Sequence, residues 1–227
     1  MKKLVLIIFL FGVSTFAQEF TVTKVTGQVM ILKGTEEKAT LVNKGDKLNG
    51  NDLLITDNNS LIQLDNNGKV FLLKSNSALG LNNIKNISIN DLLLQLAVED
   101  IKRLPGGNQK SNGRTTAVYG SEIGENSSMV ISEDMLGEKK LNGAKQLSEE
   151  GYPKSAIIVA RETFRKHPKT KKRIGFKIYF ANQLYDLKLF EEAASEFVKI
   201  QKLNLSEKQK ADVDEMLRKI NLKLASQ

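Results

Sequence analysis

The sequence predicts an α+β protein of two domains, an all-β domain of short strands followed by an array of helical hairpins. Within residues 45–73, apolar residues alternate in short runs, such as Leu53 and Ile55, and turns rich in Gly and Asn separate these runs. From residue 138 onward, Ala, Leu, Lys and Glu dominate and apolar residues recur at helical spacing. The 227 residues provide enough chain for two small domains.

The N-terminus predicts a cleaved export signal over residues 1–17. Two lysines precede an apolar run at residues 4–13, and small residues at positions −3 and −1 favour cleavage after Ala17. An uncleaved anchor is the alternative, but the run is shorter than the roughly 20 residues of a membrane span. We therefore expect a bacterial protein that is periplasmic or secreted, with no transmembrane helix after the signal is removed.

The composition excludes several kinds of site. The chain contains no Cys, so disulfides, thiolate metal sites, a Cys nucleophile and a lipid-bearing Cys are ruled out. Its one His, His167, is expected to be exposed or to cap a helix rather than to bind a metal. Because the sequence also has no Gly-x-Ser-x-Gly motif and no phosphate-binding Gly-rich loop, we expect no catalysis, no cofactor and no metal.

Acidic residues of the first half admit two interpretations. Four turn aspartates lack the spacing of a calcium loop, and Asx turns explain them more simply. They are Asp46, Asp52, Asp57 and Asp65. A second group could be a pair of glycosidase carboxylates, but we interpret its members as surface groups. They are Asp91, Glu99 and Asp100.

The β domain is expected to cover residues 18–125. Its predicted elements are strands at 21–25 and 28–32, a loop at 35–40, short strands through 45–73, and a turn with a last strand at 75–81. Asn67-Gly68 is the strongest hairpin signal, because a type I′ turn needs positive φ at both of its central residues.

One predicted helix interrupts the β pattern. Leu92, Leu96 and Ile101 recur at helical spacing, and Asn90 or Asp91 is suited to be the N-cap. Pro105 follows, so we predict a helix over about 91–104. A turn-rich loop at 105–114 and an acidic linker at 126–137 complete this region.

Motifs of the β domain occur in the order found in FecR-like domains. The matching positions are Gly27-x-Val29, Gly34, Gly45-Asp46-x-Leu48-x-x-x-Asp52-x-x-Ile55-Thr56, Ser60, Leu64, Gly68-x-Val70-x-Leu72 and Ser75-x-Ser77. Residues 114–120 resemble the closing segment of that family, although its usual Arg-Gly ending is missing. The resemblance covers about residues 20–125. It implies a solenoid-like, extracytoplasmic β module that contacts other envelope proteins.

The helical half contains an internal repeat. Small residues recur at intervals of twelve in two sets: Ala144, Ala156 and Pro168, then Ala181 and Ala193. This pattern resembles two tetratricopeptide repeats over about residues 138–224, in which small side chains let the helices of a hairpin approach closely. The predicted helices are 138–150, 153–166, 173–186, 190–203 and 206–223. A capping box of Ser206 and Gln209 begins the last helix, which we expect to cap the array.

Charge is distributed unevenly along the chain. Residues 18–137 contain 12 basic and 14 acidic residues, whereas residues 138–227 contain 20 basic and 12 acidic ones. The densest basic cluster consists of Arg165, Lys166, Lys169, Lys171, Lys172 and Arg173. This cluster predicts either a site for an anionic surface or cell-wall polymer, or a solvated loop between repeats. Nucleic acid is not expected as a partner of an exported protein.

The resemblances imply a non-catalytic envelope protein that mediates protein–protein interaction as a scaffold or adaptor. The inner face of the repeats would hold one partner, with Lys145, Asn182 and Tyr185 as candidate binding residues. Two alternatives stay open: a periplasmic sensory or regulatory component of a FecR-type signalling system, and a binder of peptidoglycan or another anionic polymer. The best-known FecR members are transmembrane anti-sigma regulators with a cytoplasmic N-terminal segment. In this chain, residues 1–17 predict an export signal in place of such a segment.

Overall fold

The computed structural model describes residues 18–34, 39–103 and 132–226. We call the first two ranges together the β part and the third range the helical part. The α+β class is confirmed, because the β part holds two antiparallel sheets and six α-helices occur across the described residues. The predicted export signal, the FecR-like closing segment and the first half of the predicted linker lie outside these ranges.

Eight strands form two four-stranded sheets. The strands are β1 Glu19–Thr26, β2 Val29–Leu32, β3 Thr40–Leu41, β4 Lys47–Asn49, β5 Leu53–Thr56, β6 Leu61–Asn66, β7 Lys69–Leu73 and β8 Ala78–Gly80. The first sheet has the order β4-β1-β6-β7 and the second sheet has the order β3-β2-β5-β8. The expected solenoid-like arrangement is wrong. Successive coils of a solenoid stack along one axis, whereas here strands distant in sequence, such as β1 and β6, pair antiparallel.

The two sheets differ in how many of their faces are buried. In β6 of the first sheet, Ile62 and Leu64 point into the core while Gln63 between them is half-buried, which gives an alternating pattern. In β5 of the second sheet, Leu54 faces the core between the sheets and Ile55 belongs to a separate cluster on the opposite face. Strands buried on both faces are continuous apolar runs, which explains why the second sheet departs from strict alternation.

The Asn67-Gly68 hairpin is confirmed. Asn67 has φ 52° and Gly68 has φ 82°, so both central residues are left-handed as a type I′ turn requires. Asn66 and Lys69 pair directly across the turn, and this register continues along β6 and β7. The two turn residues therefore set the β6–β7 register, as the local sequence predicts.

The six α-helices of the described residues are α1 Ile89–Ile101, α2 Glu133–Glu149, α3 Pro153–Lys166, α4 Ile174–Asp186, α5 Phe190–Gln201 and α6 Glu207–Leu224. The last four match their predicted bounds to within two residues. The capping box of Ser206 and Gln209 is confirmed. Each of these helices is too short or too polar to serve as a bilayer span.

Two helix starts are corrected by the structure. Ser88, rather than Asn90 or Asp91, is the N-cap of α1, because its hydroxyl accepts from the Asp91 N–H while the Asp91 carboxylate accepts from the Ser88 N–H. Helix α2 begins at Glu133 rather than 138, because the Ser132 hydroxyl accepts from the Met135 N–H. Residues 133–137 are therefore helical and do not belong to a linker.

Small residues let the helices pack closely, as expected. Ala144, Ala156, Ala181 and Ala193 are all buried where α2 meets α3 and α4 meets α5. Helix α6 covers the far side of α5 through Val213 and Ile220. Buried side chains of the β part and the helical part form one continuous hydrophobic core.

Helix α2 joins the helical part to the second sheet at very short range. A Cβ placed on Gly143 would lie 2.2 Å from the Ala78 carbonyl oxygen of β8, so no residue but Gly fits there without a shift. Near the start of the same helix, Leu136 packs in a cluster with Met30 and Ile55 on the outer face of the sheet. Helix α2 therefore forms a third layer on the two sheets.

Polar side chains of α2 satisfy backbone groups of the β part. The Lys139 ammonium donates to the Thr56 carbonyl at 2.7 Å, and the Asn142 amide donates to the Asn76 carbonyl at 2.8 Å. The Gln146 carbonyl oxygen accepts from the Lys74 N–H at 2.6 Å, and its amide donates to the Ser77 hydroxyl at 2.6 Å. Burial lowers the pKa of Lys139, and Asp57 nearby partly offsets this effect. The Lys139 bond is buried, where an unpaired polar group is costly, and the other three bonds add specific contacts that orient α2 on the sheet.

We expect Gly143→Ala to destabilise the protein by about 1–3 kcal/mol. Overpacking against a backbone carbonyl outweighs the gain in helix propensity of up to about 1 kcal/mol. Gly175→Ala is the matched control, because a Cβ on Gly175 of α4 meets no atom within 4 Å. The control should be neutral or more stable by about 0.5–1 kcal/mol. Urea denaturation of both variants measures the difference, and equal effects would contradict the close contact.

Candidate functional site

The candidate binding surface lies on the exposed side of α4. This helix buries Phe180, Ala181 and Leu184 on one side. At 100° per residue, four other positions fall within a narrow arc on the opposite side. They are Gly175, Tyr179, Asn182 and Asp186, and we call this surface the open face of α4.

Helix α2 borders the open face on one side. The Lys145 ammonium lies 5.6 Å from the centre of the Tyr179 ring, a distance at which a cation and an aromatic face attract each other. The Ser148 hydroxyl donates to the Gln183 side-chain oxygen at 2.7 Å. These contacts connect the first helix of each pair and place Lys145 at the edge of the open face.

The three predicted binding residues thus fall into two groups. Lys145 borders the open face and Asn182 lies on it. Tyr185 is turned toward α5, where its ring packs at 5.3 Å from that of Phe190. Sequence reasoning did not include Tyr179, although its position three residues before Asn182 on the same helix is a signal that places both on one face.

Asn182 has the chemistry of a peptide-binding residue. Its side chain is half-buried, and it makes no hydrogen bond to any residue in the described ranges. A side-chain amide offers two donors and one acceptor, which match the C=O and N–H groups of an extended backbone. Gly175 on the same face leaves open space above the helix, so a bound chain could approach closely.

The predicted basic cluster is divided among separate ion pairs. Four of its six members contact a carboxylate: Arg165 with Glu99, Lys166 with Glu162, Lys169 with Asp134, and Arg173 with Glu138. Lys171 and Lys172 lie exposed in the short 3-10 helix Pro168–Lys172, with no carboxylate of the described chain within 4 Å. Contacts within the fold therefore occupy four of the six basic side chains. Binding of an anionic polymer stays a prediction.

His167 is not exposed. It is the C-cap residue of α3 and retains only 8% of its accessible surface. A Cβ on Gly137 of α2 would lie 2.7 Å from the His167 Cβ, so the two segments are in close contact and exclude water. Among the described residues, no three His, Cys, Asp or Glu side chains come together as a metal site.

Three of the four turn aspartates accept hydrogen bonds from backbone N–H groups, whereas the Asp57 carboxylate contacts the Lys139 ammonium at 3.6 Å. Asp52 accepts from the Gly34 N–H at 3.1 Å and from the Asn49 N–H at 2.8 Å. Asp46 and Asp65 each accept from a backbone N–H within their own turn. These carboxylates therefore hold strand connections in place.

Glu99 is a buried carboxylate between α1 and α3, which corrects its interpretation as a surface group. The residue is 5% exposed, and its carboxylate accepts from the Arg165 guanidinium at 2.7 Å and from the Lys102 ammonium at 3.1 Å. Burial alone would raise the pKa of Glu99, but the hydrogen bonds from Arg165 and Lys102 outweigh it and lower the pKa below its ordinary value.

Arg161 of α3 connects three helices beside Glu99. Its guanidinium contacts the Asp100 carboxylate of α1 at 3.0 Å and the Glu196 carboxylate of α5 at 3.2 Å. The Arg103 guanidinium in turn donates to the Arg161 carbonyl at 3.3 Å. These charge-assisted contacts attach α1, which follows the β strands in sequence, to the helical part.

Comparison with known proteins identifies no relative. No protein-family model, no curated protein and no solved structure matches the chain. The resemblances to FecR-like domains and to tetratricopeptide repeats therefore stay predictions, and the arguments that follow rest on the contacts described above.

We expect Glu99→Gln to lower the free energy of unfolding by about 1–3 kcal/mol near neutral pH, because two cations lose their charged acceptor. An acid whose pKa is lowered by folding stabilises the protein above its ordinary pKa, here 4.5, and loses this contribution as pH falls through its folded-state pKa. The difference between wild type and variant should therefore shrink as the pH is lowered from neutral to below 4.5.

Urea denaturation at the two pH values measures this effect. The control is Glu215→Gln, which breaks an exposed ion pair with Lys219 on α6 and should change stability little. If Glu99→Gln lowers the free energy of unfolding equally at both pH values, then packing rather than charge holds α1 in place.

Proposed function

We propose that the protein is a non-catalytic, exported envelope protein that binds an extended segment of a partner protein on the open face of α4. The observation that carries this proposal is the half-buried amide of Asn182 beside the Tyr179 ring and the open space at Gly175. An amide and an aromatic ring on one helix face provide backbone recognition and apolar contact together.

The scaffold around this face suits a binding role. Helix α4 is held by buried residues on its far side, and α2, which borders the open face, is fixed on the second sheet by Gly143 and its polar side chains. A binding surface on rigid helices costs less ordering on association than one on loops. The contacts thus support an adaptor or scaffold.

The family assignments belong to this proposal. We infer that the β part is a FecR-like domain and that α2 to α5 are two tetratricopeptide-like pairs with α6 as their cap. The buried small residues of both helix pairs support the second assignment, and the Asn67-Gly68 hairpin in a sheet of short strands supports the first. Under this assignment the open face lies on the inner side of the repeats.

The test selects displayed random peptides on the chain from residue 18 and compares their affinity for variants. Asn182→Ala combined with Tyr179→Phe removes the amide and a hydroxyl from the open face while keeping the ring beside Lys145. We expect the selected peptides to lose affinity by about tenfold or more, since a few central contacts dominate binding.

The matched control is Asn221→Ala combined with Tyr152→Phe, which makes the same chemical changes elsewhere. Asn221 is exposed on α6, and the Tyr152 ring packs near Phe71 of β7. This control should bind selected peptides like the wild type. Equal binding by all three proteins would exclude the open face as the site, and failure to enrich any peptide would overturn peptide capture itself.

A further inference from the structure

Helix α1 is apolar on more than the side that it buries. Leu92 and Leu96 pack against α3 in the core. On the opposite side, Leu94 is 62% exposed and Ile101 is 61% exposed. Large exposed apolar side chains on one side of a helix mark an interaction surface, and the described residues leave most of Leu94 and Ile101 uncovered.

A cleft of about 380 Å³ separates α1 from α5. We call it the α1–α5 cleft, and its walls are Leu93, Leu96 and Ala97 on one side and Glu191, Glu192 and Ser195 on the other. Ala97 lies one helical turn from Leu93, Leu94 and Ile101, so it connects the α1 wall to the exposed apolar side chains. The cleft and the exposed apolar side are therefore one continuous surface.

The cleft is acidic within a helical part that is rich in cations. Three carboxylates line it, from Asp100, Glu191 and Glu192, against the single guanidinium of Arg161. Arg161 is already occupied by Asp100 and Glu196, whereas Glu191 and Glu192 have no cation of the described chain within 4 Å. Two carboxylates are thus available beside an apolar wall.

We propose that the α1–α5 cleft binds an amphipathic segment of a partner protein that carries large apolar side chains next to Lys or Arg. Apolar side chains would fill the cleft and cover Leu94 and Ile101, and the cations would reach Glu191 and Glu192. Such a segment satisfies both features at once, because burial supplies affinity and complementary charge supplies orientation.

Charge disfavours two other simple occupants. A second copy placed with the cleft on the two-fold axis would bring Glu191 and Glu192 of both copies together, and like charges at an interface are costly. An anionic lipid surface would be repelled by Glu191 and Glu192 in the same way. The site is also separate from the open face of α4, so this inference does not depend on the proposed function.

The probe is a fluorescein-labelled amphipathic helix of Leu and Lys, titrated with the chain from residue 18 and followed by fluorescence anisotropy. We expect it to bind, and to bind more weakly as salt is added, because part of the attraction is electrostatic. The same peptide with Glu in place of Lys should not bind. Asn182→Ala with Tyr179→Phe, on the open face of α4, should bind the Lys peptide like the wild type, which separates the two sites.

Two pairs of variants locate the site. Glu191→Lys with Glu192→Lys should weaken binding about tenfold or more, while Glu207→Lys with Asp212→Lys should leave it unchanged. The control makes the same change in net charge, and Glu207 lies in the first turn of α6 as Glu191 does in that of α5. Leu94→Gln with Ile101→Gln should also weaken binding, whereas Leu222→Gln, at a residue 62% exposed on α6, should not.

Four results would overturn the proposal. They are no binding of the Lys peptide, equal binding of the Glu peptide, equal loss in the cleft variants and their controls, and a wild-type dimer in analytical ultracentrifugation that Leu94→Gln with Ile101→Gln dissociates. The last result would assign the surface to a second copy of the chain. Loss of binding confined to the cleft variants, with a monomeric wild type, would support a basic amphipathic partner.

Discussion

The contact between α2 and the second sheet determines the arrangement of the rest of the molecule. Gly143 brings the helix against the Ala78 carbonyl, and Lys139, Asn142 and Gln146 complete the hydrogen bonding of the strand ends beside it. Because α2 is also the first helix of the helical part, its position on the sheet sets the position of α3 and of everything packed on α3. A side chain at Gly143 would separate the layers and leave buried polar groups without partners.

Features set by neighbouring residues were predicted from the sequence. The Asn67-Gly68 turn, α3 and the Ser206 cap each depend on residues within one turn or one helix. Features set by distant residues were not. Glu99 is buried only because Arg165, far along the chain, supplies its partner, and α2 extends back to Glu133 although Gly137 interrupts its helical pattern. That Gly is required by contact with His167, which no local pattern reveals.

The two candidate surfaces also differ in how far the sequence predicts them. Asn182 was found because a repeat pattern places it on one helix, and Tyr179 was within reach of the same reasoning. The α1–α5 cleft was not found, because its walls come from two segments that the sequence assigns to different domains. A protein whose β part and helical part share one core can present surfaces made by both, and such surfaces have no signature in either segment alone.

The late position of α2 in the chain has a consequence for how the protein reaches its native state. The outer face of the second sheet, with Met30 and Ile55, is covered by a helix that is synthesised after all eight strands. Until α2 arrives, the nascent β part has an uncovered apolar face and an unprotected edge at β8, the kind of surface that aggregates and that chaperones shield. Folding is thus tied to completion of the chain, and the two halves should gain and lose structure as one cooperative unit.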